Sequence, residues 1–170
     1  ICTLSFQISF AQKISTNEYQ IKTNLDDFNL KGKVEKIVST ATDVQGNTTT
    51  LPFLDNEFFN QVALEFNNKG NLTKRSNYLD YRGKLAVYNY VNYNYNNSNL
   101  IDKQTNTVIN NGEDPKRIAS DKTFGYDNQN RLIKLDEKIE GKSSKSVYET
   151  VFNYTNKLDK ITTKVEGSTI

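Results

Sequence analysis

The chain has 170 residues and a nearly balanced charge of +2, from 22 Lys+Arg against 20 Asp+Glu, and it contains no His, Trp or Met. Without His there is no Ser-His-Asp triad, zinc–histidine site or imidazole acid–base pair. The basic residues are 18 Lys and 4 Arg, scattered along the chain, so neither the basic stripe nor the Arg forks of a nucleic-acid binder are present.

Ile1 to Phe10 is mostly apolar and uncharged, and Ser9 and Ala11 sit where a secretory cleavage site carries small residues. Residues 1–11 are therefore expected to be a signal-peptide remnant, with the charged start and initiator Met belonging to a longer precursor. The competing expectation is a buried N-terminal strand. About 20 apolar residues are needed to cross a bilayer, so no membrane span is expected in the mature chain. The expected location is the periplasm, outer membrane or surface of a Gram-negative bacterium. The single cysteine, Cys2, falls in the removed run, which leaves no thiol or disulfide.

Residues 12–27 read as a polar leader with room for a short helical turn, and no later stretch keeps helical periodicity. Alternating strands are expected at 34–39, 61–66, 88–95, 148–154 and 158–165, rich in Val, Ile, Thr, Tyr and Phe. Val91-Asn92 shifts the alternation by one, which calls for a β-bulge or a turn there. Residues 43–60 and 105–116 read as long loops.

A seven-residue phrase recurs: an aromatic, Asn or Asp, two variable residues, Gly or Asn, one residue, then Leu or Val. It starts at Phe28, Phe66, Tyr126 and Phe152. Leu79 to Leu85 fits with Leu first, and Tyr95 to Leu100 fits with one residue missing. Asx begins a turn by accepting local N–H groups, and Gly or Asn at the fifth place takes positive φ. Gly32, Gly70, Gly83, Asn130 and Asn156 are the expected turn-forming positions. Internal repetition sets architecture, and each phrase is expected to be one hairpin corner. The gaps fall near multiples of 13, which suits one strand plus one turn. The expected fold is all-β, an antiparallel meander of repeated β-hairpins over residues 28–170, in one domain.

These phrases resemble the YD or RHS repeat, Tyr-Asp-x-x-Gly-Arg-Leu. The copy from Tyr126 to Leu132 is nearest, with Asn130 in place of Gly. The segments from Asn29 to Val34 and from Glu65 to Leu72 are similar to small secreted proteins common in Bacteroidetes. The resemblance implies a twisted sheet, and association of such proteins with carbohydrate or envelope binding. Large RHS proteins close into a shell around a toxin domain; this chain is too short for one.

The chemistry left open is sparse. The eight glycines are dispersed and form no phosphate-cradling loop. Asp26-Asp27 and Asp136-Glu137 are adjacent carboxylates, and neighbours on a strand point to opposite faces, so neither pair converges as a glycosidase pair does. Turn capping accounts for the Asx residues better than calcium binding does. The expectation is no enzyme, no metal and no cofactor. Tyr78, Tyr81, Tyr88, Tyr90, Tyr93 and Tyr95 form an aromatic stripe, readable either as core or as a binding face for sugar rings or protein side chains. The expected function is a secreted, non-enzymatic binding or structural module with an envelope protein or surface glycan as partner. The alternatives are a carbohydrate-binding module and, less favoured, a carboxylate hydrolase.

Overall fold

A computed structural model describes residues 23–49, 59–109, 117–141, 144–155 and 158–169. A 3-10 helix, Leu25–Phe28, precedes ten strands: β1 (Lys36–Thr42), β2 (Thr48–Thr49), β3 (Gln61–Phe66), β4 (Leu72–Tyr81), β5 (Lys84–Tyr95), β6 (Ile101–Val108), β7 (Arg117–Tyr126), β8 (Leu132–Glu140), β9 (Ser144–Tyr154) and β10 (Leu158–Thr169). The strand order runs from β10 through β3 in sequence, then β1, with the two-residue β2 beyond it. The expected all-β antiparallel meander is the fold.

Contacts cluster into two units. The first spans Lys22–Tyr93 and Asn106–Arg117; the described residues of the second lie within Asn94–Thr105 and Ile118–Ile170. In the first, the register sets Ile37 opposite Leu64 and Ser39 opposite Val62, then Val62 opposite Asn77 and Leu64 opposite Arg75. This face carries the apolar cluster, while the small side chains of Ala63 and Ser76 are buried on the other. Phe59 and Val62 are the centre of that cluster, packed by Ala41, Leu64 and Leu79. Burying side chains of this size stabilises by about 1.5–3 kcal/mol each.

In the second unit, Phe124 opposes Leu135, Leu135 opposes Thr150, and Phe152 opposes Ile161. Phe124, Leu135, Thr150 and Phe152 are all buried. The opposite face is charged. Lys134 Nζ lies 3.0 Å from both Asp136 and Glu149, and Lys164 reaches Glu149 at 3.7 Å.

The repeated phrase resolves into a five-residue turn whose first N–H donates to the fifth carbonyl. It occurs at 43–47 (2.8 Å), 67–71 (2.8 Å), 96–100 (2.9 Å) and 127–131 (3.0 Å). In each turn the leading Asx side chain accepts from the backbone N–H of the fifth residue. The fourth residue takes positive φ: Gly46 86°, Gly70 80°, Asn99 65° and Asn130 62°.

Several sequence expectations change. The Tyr95 phrase lacks nothing: Leu100 fills its sixth place and Ile101 its seventh, and Ile101 is buried. The turn at 43–47 joins β1 to β2, so residues 43–60 are not one loop; Thr at the first and seventh places hid this copy. The phrase from Phe28 to Val34 is no hairpin corner. Phe28 ends the 3-10 helix, and Asn29 caps it in the left-handed region. That helix lies on the β3–β4 turn: Leu25 N–H donates to Gly70 O at 3.0 Å, Leu72 N–H donates to Thr23 O, and the Phe28 ring meets Phe66 edge-on at 5.8 Å. Leu79 and Asp80 lie within β4, and Phe152 and Asn153 within β9, so those two phrases start inside strands. The phrases at Phe66, Tyr95 and Tyr126 therefore recur per hairpin rather than per strand. Asn156 lies outside the described residues.

Candidate binding surface

The six tyrosines do not share one face. Ser76 opposes Tyr90 and Arg75 opposes Val91, so Tyr90 and Tyr93 stand on opposite sides of β5. Pairing with β4 is regular through Val91 and Asn92, so the expected slip does not fall on that side. The bulge falls earlier: Asn77 opposes Asn89 and Tyr78 opposes Val87, which leaves Tyr88 as the extra residue. Tyr93 is buried, and burial pushes its hydroxyl pKa up, against a smaller opposing pull from Arg75. Tyr78, Tyr90 and Tyr95 are half-buried. Lys74 lies 5.1 Å from the Tyr90 ring centre, and the Tyr88 ring packs 6.0 Å from Phe59.

Exposed aromatic surface concentrates on the β4–β5 hairpin. Its turn is Arg82-Gly83, with φ 56° and 78°, the double positive φ of a type I′ turn. Tyr81 opposes Lys84 directly across it, and Asp80 Oδ1 accepts from Gly83 N–H at 2.7 Å. Among the described residues, flanking segments meet the hairpin through Asn60 N–H to Tyr78 O at 3.0 Å, Ile109 N–H to Tyr88 O at 2.8 Å, and Asp80 N–H to Asn60 Oδ1 at 2.8 Å. From Asp80 to Ala86 every residue is exposed. Tyr81 is 54 % and Leu85 39 % exposed, and the Arg82 guanidinium lies 5.4 Å from the Tyr81 ring centre. The arm thus offers Tyr81 and Arg82 at its tip, with Leu85 on the other face, opposite Asp80. Sequence reading flagged Tyr81 but missed Arg82 and Leu85, because their exposure is set by strand pairing rather than by residue type.

Many other polar groups are occupied, although the buried Asp102 Oδ1 and Gln104 Oε1 have no hydrogen-bond partner among the described residues. Asparagine side chains link three strands: Arg75 Nε donates to Asn77 Oδ1 at 3.1 Å, Asn77 to Asn89 at 2.9 Å, and Asn89 to Asn106 at 3.1 Å. In the second unit Tyr126 and Tyr154 donate to the carbonyls of Ile101 and Leu132, each at 2.9 Å. These two carbonyls belong to the seventh places of the preceding phrases.

Several carboxylates are ion-paired. Asp136 meets Lys134 and Glu137 meets Lys122, at 3.0 and 3.2 Å, so the adjacent pair does diverge. Asp127 is held below the usual carboxylate range, first by the Arg131 backbone N–H and also by its guanidinium. Lys134 does the same to Glu149 by hydrogen bonding. Asp121 is raised by burial but lowered more by the Thr105 hydroxyl and Lys103, and ends below its ordinary value. Among the described residues no three His, Cys, Asp or Glu side chains gather as a metal site, and no helix is long and apolar enough to cross a membrane.

Comparison with protein-family models, with curated proteins and with solved structures finds no match for this chain.

Proposed function

We propose that this chain is a non-enzymatic binding module of the YD/RHS-like type, exported to the bacterial envelope, that engages a protein partner through the β4–β5 arm. The exposed arm carries this reading. Tyr and Arg dominate interface energetics, and Tyr81 and Arg82 stand together at the exposed tip of the hairpin, with the guanidinium 5.4 Å from the ring centre. The recurring Asx turns and tyrosine-to-carbonyl bonds support a repeat scaffold. Paired carboxylates with lowered pKa argue against hydrolysis, which needs one carboxyl raised to act as an acid. Export rests on the apolar, uncharged run from Ile1 to Phe10.

The test is capture from envelope extracts with the wild-type chain and with Tyr81→Ala/Arg82→Ala. A partner retained by the wild type and lost by the double variant supports the arm. Equal capture by both assigns binding elsewhere. A glycan array run in parallel separates the second reading: an oligosaccharide bound by the wild type and lost in Tyr81→Ala makes the partner a glycan.

A further inference from the structure

The last strand carries an inference that goes beyond the arm and does not depend on what the arm binds. Among the described residues β10 has one neighbour, β9, so alternate backbone N–H and C=O groups along its outer side face away from the sheet. It is 12 residues long, about twice the usual strand, and its pairing with β9 is regular from Lys160 to Thr169. No Pro interrupts it and the one irregularity lies at its start, between Leu158 and Lys160. A long edge without Pro or a central bulge can accept a further strand, provided that its lysines are met by opposite charge.

We propose that β10 pairs with β10 of a second copy of this chain, antiparallel about a two-fold axis through Thr163. A two-fold perpendicular to a sheet passes through a residue that opposes itself, so the register is set by one choice of centre. With Thr163 at the centre, Lys160 opposes Glu166, Ile161 opposes Val165, and Thr162 opposes Lys164. The two-fold makes each of these pairs occur twice. Lys160 and Glu166 have no ion-pair partner among the described residues, and both are exposed. Lys164, by contrast, is already 3.7 Å from Glu149. Val165 is 48 % exposed, and Ile161 would cover it. Ile161 opposes Phe152 across β9, so the buried row of the second unit would continue into the partner. Opposite charges and β-branched pairs directly across a ladder are the stabilising ones.

Other centres fit worse. Centring on Thr162 sets Lys160 against Lys164, and centring on Lys164 sets that residue against itself. Centring on Val165 does oppose Lys164 to Glu166, but it draws on a lysine already committed and places Gly167 within the pairing. The contact is isologous and closes as a dimer rather than growing into a fibre.

Sedimentation of the purified chain over a concentration series reads the equilibrium directly. The expected result is a concentration-dependent dimer. Lys160→Glu turns both ion pairs into Glu–Glu contacts and weakens it about 10-fold or more, and Lys160→Glu/Glu166→Lys restores it. In a Cys2→Ser background, Thr163→Cys crosslinks to itself under mild oxidation faster than Val165→Cys, because directly opposed Cα atoms lie within disulfide reach. A chain that stays monomeric at every concentration overturns the proposal. So does a dimer indifferent to Lys160→Glu, or faster crosslinking at Val165→Cys.

Discussion

The β3–β4 and β4–β5 connections are consecutive along the chain, yet they are built for opposite purposes. At 67–71, Asn67 Oδ1 accepts from two N–H groups, the 3-10 helix lies across the turn, and Asn71 and Leu72 are 3 % and 1 % exposed. At Arg82-Gly83 the turn is two residues, one aspartate caps it, and everything from Asp80 to Ala86 is exposed. The covered turn ties the 3-10 helix to the sheet. The bare one leaves Tyr81 and Arg82 on the surface, where the proposed partner would meet them.

Paired substitutions break or sharpen that contrast. Leu72→Ala is expected to lower stability by about 2–5 kcal/mol, the range for a buried Leu truncated to Ala, while Leu85→Ala changes it by no more than about 0.5 kcal/mol. Urea denaturation of both variants checks this, and similar losses would mean that the arm is packed after all. Gly70→Ala and Gly83→Ala each place a Cβ in the left-handed region, at about 1–2 kcal/mol. Gly70→Ala is expected to cost more, because its Cβ would sit 3.2 Å from Leu25 Cδ1, whereas nothing lies within 4 Å at Gly83. Equal midpoints for the two would remove the helix from the β3–β4 turn. Asn67→Ala, which strips two backbone N–H groups of their acceptor, should cost about 1 kcal/mol, with exposed Asn68→Ala as the silent control.

The fold was legible because its signals are local. Alternation in Gln61 to Phe66 and Tyr148 to Tyr154 needs only period two, and the Asx–Gly pairing needs only turn chemistry. What escaped was set by pairing. Tyr88 became the bulge residue through the register between β4 and β5, which single-strand alternation does not reveal. Asn77, Asn89 and Asn106 sit in strands and satisfy one another across three of them, a pairing that period-two alternation does not announce. The 43–47 turn was hidden because its flanking places hold Thr, although its backbone geometry matches the others. The six tyrosines read either as core or as a binding face, and the structure buries Tyr93 while leaving Tyr81 and Tyr88 exposed, a division set by register and packing that single-strand alternation does not reveal.

The smallest expected effect bears on whether the Asx at the head of a repeat turn must carry charge. Asp43 and Asp127 hold folded-state pKa values below their ordinary ones. Asp43 is lowered first by the Asn47 side chain, and Asp127 first by the Arg131 backbone N–H. A carboxyl depressed by folding contributes stability above its unfolded pKa and loses it as pH falls through the folded value, so stability should decline below about pH 4. Asn occupies the same place at 67 and 96, with its Oδ1 accepting the same N–H. Asp127→Asn should therefore be nearly silent at pH 7, losing only the exposed Arg131 pair at 2.7 Å. Asp43→Asn/Asp127→Asn should flatten the acid limb of the urea midpoint measured between about pH 3 and 7. An acid limb as steep as in the wild type would place the sensitivity on Glu149 and Asp121, in the charged face rather than the turns, and would leave the repeat turns indifferent to charge.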